Sequence, residues 1–229
     1  MQRSLFVLLW VLFASACTRT TIIIQNPPET QEDTKTPRIQ LIHASPGTAG
    51  IKLWQNNTTP FSVGYYYKSY TQYFPIEAGN TQLDIKRSSN TNLLLSFPAT
   101  INESTLYSLF ICDSLSRITP VLISDKPLPK QSDKAQIRFV NILSSGEPLN
   151  FVLQQNNLFQ DVTYKNASDY VYVDPGVVQC AVTYANSGNS LISNITYALD
   201  AGKNYTVFVN GFSFLTGPSG ADALIMTNL

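Results

Sequence analysis

The sequence predicts an all-β protein built as two tandem, immunoglobulin-like sandwiches of seven strands each. From residue 38 onward, short alternating or β-branched runs recur between Gly, Pro, Asn and Ser, and no helical periodicity lasts longer than two turns. Residues 137–141 (IRFVN) restate residues 39–43 (IQLIH) at a spacing of 98 residues. The chain has 229 residues, of which 44% are hydrophobic and 13% charged, so it can bury a core in each copy.

The internal match continues along the chain. Tyr67-Lys68 and Tyr73 in the first copy correspond to Tyr164-Lys165 and Tyr170 in the second. Seven strands in under a hundred residues is the count of an immunoglobulin-like sandwich. We expect the copies at residues 38–124 and 135–229, joined by residues 125–134, whose two prolines stiffen the linker and whose charges keep it solvated. In the second copy we expect strands at residues 149–154 and 169–173 with none between them.

Residues 1–16 read as an export signal. Arg3 supplies the positive charge, residues 5–13 (LFVLLWVLF) are an uncharged apolar run, and Ala14, Ser15 and Ala16 follow. The run is shorter than the roughly 20 apolar residues of a transmembrane helix. A buried helix is the alternative.

Small residues ending at Cys17 resemble the bacterial lipoprotein box, although Ala14 stands where that box usually has Leu. The resemblance implies that Cys17 is diacylated, and more than one acyl chain gives stable membrane anchoring. Ordinary secretion with a free Cys17 is the alternative. Thr18 after the cysteine, by resemblance to bacterial sorting rules, favours the outer membrane and leaves the leaflet open. Residues 17–37 are then a flexible tether with few residues to bury.

Three stretches carry a family resemblance: Ile42-His43-Ala44-Ser45-Pro46, Tyr73 with Gly79, and residues 199–207 (LDAGKNYTV). They resemble a bacterial family, the domain of unknown function DUF4397. The resemblance runs from Arg38 to Leu229. It implies tandem modules on an exported envelope protein, and its motifs specify a fold rather than an activity. The second copy departs from it with residues 142–145 (ILSS), and the first with Glu103-Ser104 and with Lys52, where the family usually has an acid.

Composition and spacing argue against several functions. The formal net charge is +0 and no basic run occurs, which argues against nucleic acid as a partner. The ligands for zinc are too few, and no EF-hand-like spacing supports calcium, so we expect no metal and no cofactor. Cys112 and Cys180 occupy non-equivalent positions in the two copies and read as small buried thiols rather than a disulfide.

The catalytic candidates are weak. His43 is the only histidine and shares parity with Ile39 and Leu41, which predicts an inward, hydrogen-bonded structural role at a strand end. No Gly-x-Ser-x-Gly elbow accompanies it. Glu77 and Asp84 are the candidate pair of acids for glycoside hydrolysis, but nothing in their spacing indicates that the two carboxylates face each other. We therefore expect no catalytic residues.

The aromatic residues Trp54, Tyr65 and Tyr66 form the candidate ligand or partner surface. Ile51 and Leu53 should face the core, so alternation turns Trp54 outward, where it can serve as a sugar platform or partner anchor. Packing of Trp54 against a loop or the sister domain is the alternative. Tyr65 and Tyr66 have no counterpart in the second copy and read as additions to the module.

These observations favour a non-catalytic, membrane-anchored envelope lipoprotein that acts as a protein-interaction or scaffolding module. A glycan-binding surface lipoprotein that uses exposed aromatic residues is the first alternative, and an enzyme is the second.

Overall fold

Residues 35–228 are the part of the chain that this computed structural model describes, and they form sixteen strands in four sheets. The predicted export signal, Cys17 and nearly all of the predicted tether lie outside the described residues. The strands of the first copy are β1 (Arg38–His43), β2 (Ile51–Gln55), β3 (Phe74–Pro75), β4 (Gly79–Arg87), β5 (Leu93–Ile101), β6 (Leu106–Cys112) and β7 (Thr119–Asp125). Those of the second are β8 (Ala135–Asn141), β9 (Leu149–Leu153), β10 (Asn156–Val162), β11 (Asn166–Ala167), β12 (Val171–Val173), β13 (Gly176–Tyr184), β14 (Ser190–Leu199), β15 (Asn204–Asn210) and β16 (Asp222–Asn228).

Each copy is a pair of packed sheets, so the predicted all-β sandwich class is confirmed. In the first copy the sheet β3-β1-β6-β7 packs on the sheet β2-β4-β5. In the second, β11-β8-β15-β16 packs on β10-β9-β13-β14, with β12 also pairing β8. The first strand of each copy pairs in parallel with its later partner, β1 with β6 and β8 with β15. The only helical elements within residues 35–228 are two 3₁₀ turns, Leu115–Arg117 and Gly217–Ser219.

The first copy has the seven predicted strands, whereas the second has two more, β10 and β11. β10 forms a hairpin with β9 through Gln154 and Gln155, whose φ angles are 46° and 68°. Such left-handed pairs usually contain Asn or Gly, so the Gln-Gln pair gave no sequence indication of a turn. The prediction of no strand between residues 154 and 169 was therefore wrong.

The two copies lie back to back and make a stack of four sheets. Along β8 all seven residues are buried, because Ile137 and Phe139 enter the core of the second sandwich while Arg138 and Val140 face the first. A third apolar cluster fills the junction between the copies: Ile42, Ala44, Phe110, Cys112, Val121, Val140, Ile142, Phe208 and Met226. A strand that is covered on both faces carries apolar residues on both, which explains why neighbours such as Leu41 and Ile42, or Phe139 and Val140, are both apolar in the repeated run.

The junction is pseudo-symmetric. Phe110 on β6 and Phe208 on β15 hold equivalent positions in the two copies, and their rings contact each other at 5.4 Å. Contact between equivalent residues is the mark of an isologous, two-fold interface. The tandem protein is thus arranged like a homodimer whose subunits have been joined.

A buried ion pair crosses this junction. Arg138 of β8 places its Nη2 2.5 Å from Oδ1 of Asp125, and both side chains are at most 2% exposed. The Ser108 and Tyr73 hydroxyls donate to the other carboxylate oxygen at 2.8 and 2.5 Å. The sequence had placed Asp125 at the start of a solvated linker, but it is the last residue of β7 and lies in the interior.

At the pseudo-symmetric position in the junction, the residues equivalent to Arg138 and Asp125 make an uncharged contact. We call the two contacts the charged arm and the neutral arm of the junction. Asn228, which is equivalent to Asp125, donates to the Gln40 side chain at 3.4 Å and to the Tyr73 hydroxyl at 2.8 Å. Its oxygen accepts from the Thr206 hydroxyl at 2.7 Å. Gln40 is the equivalent of Arg138. One arm therefore holds a charged pair where the other holds two amides.

The repeated Tyr-Lys motif joins the copies at both ends of the junction. Lys68, with a φ of 69°, reaches Asp222 of the second copy at 2.6 Å. Lys165, with a φ of 66°, lies 3.7 Å from Asp113 of the first, and the Tyr164 hydroxyl donates to the same carboxylate. In both copies the lysine of the motif thus reaches a carboxylate of the other copy.

Candidate functional site

Trp54 lies on the outer sheet of the first sandwich and points away from its core. Its neighbours Ile51 and Leu53 are buried, while Lys52 and Trp54 occupy the opposite, half-buried face of β2, as alternation predicts. The Lys86 ammonium lies 4.6 Å from the centre of the Trp54 ring. The indole Nε1 is buried and makes no hydrogen bond to any residue between 35 and 228. The ring is therefore packed by a lysine of its own sheet and is far from a bare platform.

Polar side chains surround Trp54 on this outer face. Asp84 is its direct cross-strand partner, and Ser96 on β5 is the partner of Asp84. The Ser96 hydroxyl donates to Asp84 at 2.5 Å and accepts from Gln82 at 2.9 Å. Lys86 lies 3.5 Å from the Asp84 carboxylate. The face thus offers an aromatic edge beside a row of hydrogen-bonding groups.

Tyr65 and Tyr66 differ in environment. Tyr65 exchanges two 2.9 Å backbone hydrogen bonds with Ile51, and its half-buried ring packs edge-on against Phe61 at 5.1 Å. Tyr66 is 67% exposed. Among the ring contacts of residues 35–228, none joins Trp54 to either tyrosine. The grouping of these three residues into one binding surface stays a prediction.

A groove of about 770 Å³ opens in the side of the first sandwich, between the edge of β2 and the edge of β3. No sequence pattern pointed to it. Leu53 and Phe74 lie on its two walls, Thr59 and Pro60 form one rim, and Glu77 stands at the other. We call this feature the edge groove; the remaining lining residues are Lys35, Thr36, Pro37, Gln55, Thr58, Pro75, Ile76, Ala78 and Glu103.

The edge groove is present because the outer edge of β2 is paired less completely than the equivalent edge of β9 in the second copy. In the second copy, β10 pairs along β9 and buries Phe159 opposite Phe151. In the first copy, the chain after β2 touches its edge only at the ends, where Tyr65 bonds to Ile51 and Thr58 bonds to Gln55. Between these bridges the edge at Leu53 stays unpaired within the described residues.

His43 is part of the scaffold. Its side chain is fully buried; Nδ1 accepts from the Ser45 N–H at 3.3 Å, and Nε2 donates to the Ala49 carbonyl at 3.2 Å. Its counterpart Asn141 accepts from the N–H two residues on and donates to the carbonyl six residues on in the same way. Burial lowers the pKa of His43 from 6.5 to about 4. The hydrogen-bonded structural role expected for this residue is confirmed.

The other reactive groups are also separated. Cys112 and Cys180 are free and buried, as predicted, and burial raises the pKa of their thiols to about 12 and about 11. Glu77 lines the edge groove, whereas Asp84 lies on the outer face beside Trp54. No group of three or more His, Cys, Asp or Glu side chains suited to a metal ion occurs in the described part of the chain. Within that same part, no helix is long and apolar enough to cross a membrane.

The family model described as "Domain of unknown function (DUF4397)" matches residues 37–151 and 140–228. The chain belongs to the DUF4397 family. The two matches overlap and together span both copies, so this protein is a tandem DUF4397 protein. No curated protein matches the chain at a significant level.

Several solved structures resemble this DUF4397 chain at low identity. The C-terminal domain of AlgF from P. aeruginosa is 18% identical over 42% of this chain and 99% of that one, with a TM-score of 0.31. A family CBM26 module of Eubacterium rectale Amy13K, solved with maltoheptaose, is 12% identical over 82% and 96%, with a TM-score of 0.27. Family 41 carbohydrate-binding modules from streptococcal virulence factors are 12% identical over 76% and 93%, with a TM-score of 0.24. All three TM-scores lie below 0.5, so these likenesses carry no conclusion about function.

Proposed function

We propose that this DUF4397 protein is a non-catalytic binding module of the bacterial envelope that holds a protein partner on its first sandwich. The observation that carries this proposal is the edge groove: two copies of one fold are present, and one of them leaves open the side that the other closes with β10. A fold does not need such an opening for its stability, and concave clefts of this size are where ligands and partners usually bind.

The contacts between the two sandwiches are suited to a rigid support for the edge groove. The charged and neutral arms of the junction, together with the Phe110–Phe208 contact, fix the sandwiches to one another. A preorganised support lowers the entropy that a partner's binding must overcome. In this proposal the second sandwich stabilises the first, to which the tether is directly joined.

Anchoring is part of the proposal. Lipidation at Cys17 would hold the protein in the outer membrane, with residues 18–34 between the membrane and the first sandwich. The Cys17→Ser variant is expected to leave the membrane fraction, and mass spectrometry of the mature wild type is expected to find acyl chains on residue 17. An unmodified thiol at this position would refute the anchoring.

Site-specific crosslinking in native cells tests the partner. A photoreactive amino acid is placed at Ala78, on the edge groove, and separately at Pro175, the exposed equivalent position of the second copy. We expect a discrete crosslinked envelope protein from position 78 and monomer from position 175. Monomer from both positions, or the same products from both, would contradict the proposal.

Glycan binding is the second candidate, favoured by the half-buried Trp54 beside Asp84 and Ser96. A sugar stacking on the indole would displace the Lys86 ammonium, an interaction of about 0.5–1 kcal/mol at exposed sites. In polysaccharide affinity gels, wild type would be retarded, Trp54→Ala would not, and the melting temperature would be unchanged. Equal mobility of both proteins across a broad glycan panel would eliminate this candidate.

A further inference from the structure

We infer that the loop between β15 and β16, residues 211–221, anchors a protein partner by seating Phe214 and Leu215 in an apolar pocket of that partner. This contact is separate from the edge groove and goes beyond the proposed function. Three features of the loop support the inference: its exposed apolar tip, its braced conformation, and the balance of the charges beside it.

The loop carries an apolar tip that the fold itself does not require. The equivalent loop of the first copy joins β6 to β7 with six residues (113–118), whereas this loop has eleven (211–221). Residues 214–218 (FLTGP) are all exposed, with Phe214 at 73% and Leu215 at 42%. No Asp, Glu, Lys or Arg occurs between residues 211 and 221. Adjacent large apolar side chains on an added, uncharged loop are typical of a contact site.

Backbone hydrogen bonds fold the loop back on itself. The Phe212 N–H donates to the Ser219 carbonyl at 3.0 Å, and the Ala221 N–H donates to the Phe212 carbonyl at 3.1 Å. This close return depends on glycine, because Gly211 has a φ of 87° and a Cβ there would collide with the carbonyl oxygen of Gly220. The tip is therefore presented on a base of fixed shape.

The loop is also attached to the neighbouring loop between β8 and β9. The Ser213 N–H donates to the Ser145 hydroxyl at 3.3 Å, and the Ser213 hydroxyl donates to the Glu147 carboxylate at 3.1 Å. The ring of Phe214 lies 5.4 Å from that of Phe212. A partner would thus meet the tip in a conformation that is already set, so little ordering of the loop opposes binding.

The charges beside the loop balance, which favours a protein over an anionic lipid surface. Six charged side chains of the described part of the chain adjoin the loop, contact it or its neighbour, or line the small pocket at Phe212: Asp113, Glu147, Asp222, Lys68, Arg117 and Lys165. Three are acidic and three are basic. Loops that insert into membranes depend on a surplus of Lys and Arg for attraction to anionic lipids. An apolar anchor within a balanced polar rim is instead the composition of a protein–protein contact.

Photocrosslinking of the full chain in native cells tests the inference. The photoreactive amino acid p-benzoylphenylalanine replaces Phe214 and, in a separate strain, Val177, which is 71% exposed and serves as the control. We expect a discrete crosslink to another protein from position 214, at a yield roughly tenfold or more above that from position 177.

A second substitution shows whether the apolar tip itself makes the contact. Leu215→Ser removes the second anchor and should lower the yield from position 214 by roughly tenfold. Leu93→Ser, at a side chain of the first copy that is 56% exposed, is the matched control and should leave the yield unchanged. Both side chains lie at the surface, so urea unfolding of the two variants should match that of wild type.

The remaining outcomes each decide the question. No product from position 214, equal products from positions 214 and 177, or a yield insensitive to Leu215→Ser overturns the inference. A product whose added mass is a lipid or a glycan, or a second copy of this chain, overturns it as well. If position 214 gives its product while position 78 gives none, the inference stands and the role of the edge groove falls. The reverse result leaves the proposed function in place and removes the loop contact alone.

Discussion

At the scale of single residues, the Arg138–Asp125 pair is the point where the junction is most sensitive to substitution. Asp125→Ala leaves the Arg138 guanidinium buried without its carboxylate, and removing one partner of a buried pair costs about 3–5 kcal/mol. We expect a loss of that size in the free energy of unfolding measured with urea. Asp174→Asn, which breaks the exposed Lys134–Asp174 pair, is the control and should leave the urea midpoint in place.

The neutral arm of the same junction predicts a rescue. Gln40 and Asn228 fill the positions equivalent to Arg138 and Asp125 without any charge. The double variant Arg138→Gln with Asp125→Asn copies that arm, so it should recover most of the stability lost in Asp125→Ala. A double variant that is less stable than Asp125→Ala would show that the ion pair itself, rather than the avoidance of an unpaired charge, stabilises the junction.

His43 makes stability depend on pH. Its folded pKa is about 4 against an ordinary 6.5, so the unfolded chain binds the proton first as pH falls. The contribution is complete above pH 6.5 and is lost toward pH 4, which amounts to roughly 3 kcal/mol. His43→Asn copies Asn141 and keeps both hydrogen bonds, so its free energy of unfolding should fall less between pH 7 and 4.5. Equal losses in both proteins would contradict this account.

At the scale of elements, β10 is the strand that sets the two copies apart. Phe159→Ala removes a ring that is 8% exposed and stacks on Phe151, and such changes cost about 3–5 kcal/mol. Urea unfolding should show this loss. Phe214→Ala is the control, because that ring is 73% exposed, and it should leave the midpoint unchanged. A small effect at Phe159 would mean that β10 is an accessory to the sandwich rather than its side wall.

The elements also show how far the sequence could predict this fold. The repeat of residues 39–43 at 137–141, together with alternation around Ile51 and Leu53, gave the fold class, the duplication and the outward direction of Trp54. Two features of the structure were not predicted from the sequence. β10 was missed because its turn uses Gln154 and Gln155, and the edge groove was missed because it consists of an unpaired edge, which leaves no residue pattern.

At the scale of the whole molecule, the packing of one copy on the other was also invisible in the sequence. When the sequence of one copy is considered alone, Arg138 or Gln40 indicates a strand face in contact with solvent. Both side chains are in fact buried. In the structure those faces meet, and the residues between them become a third core. We therefore expect one cooperative unfolding transition for residues 35–228, with equal calorimetric and van't Hoff enthalpies.

The pseudo-symmetry of the junction leads to a sharper prediction about the isolated second sandwich, residues 133–228. Two copies of it would meet through the same face, but each buried Arg138 would then find Asn228 where the native partner is Asp125. Because an unpaired buried charge is strongly unfavourable, the wild-type fragment should not form this dimer. Asn228→Asp supplies both missing carboxylates, so the variant fragment should elute as a dimer in size-exclusion chromatography with light scattering. Adding Arg138→Gln should abolish that dimer, since it removes the charge that the new carboxylates meet. If Asn228→Asp elutes like wild type, the contact between equivalent faces is not what holds the two sandwiches together.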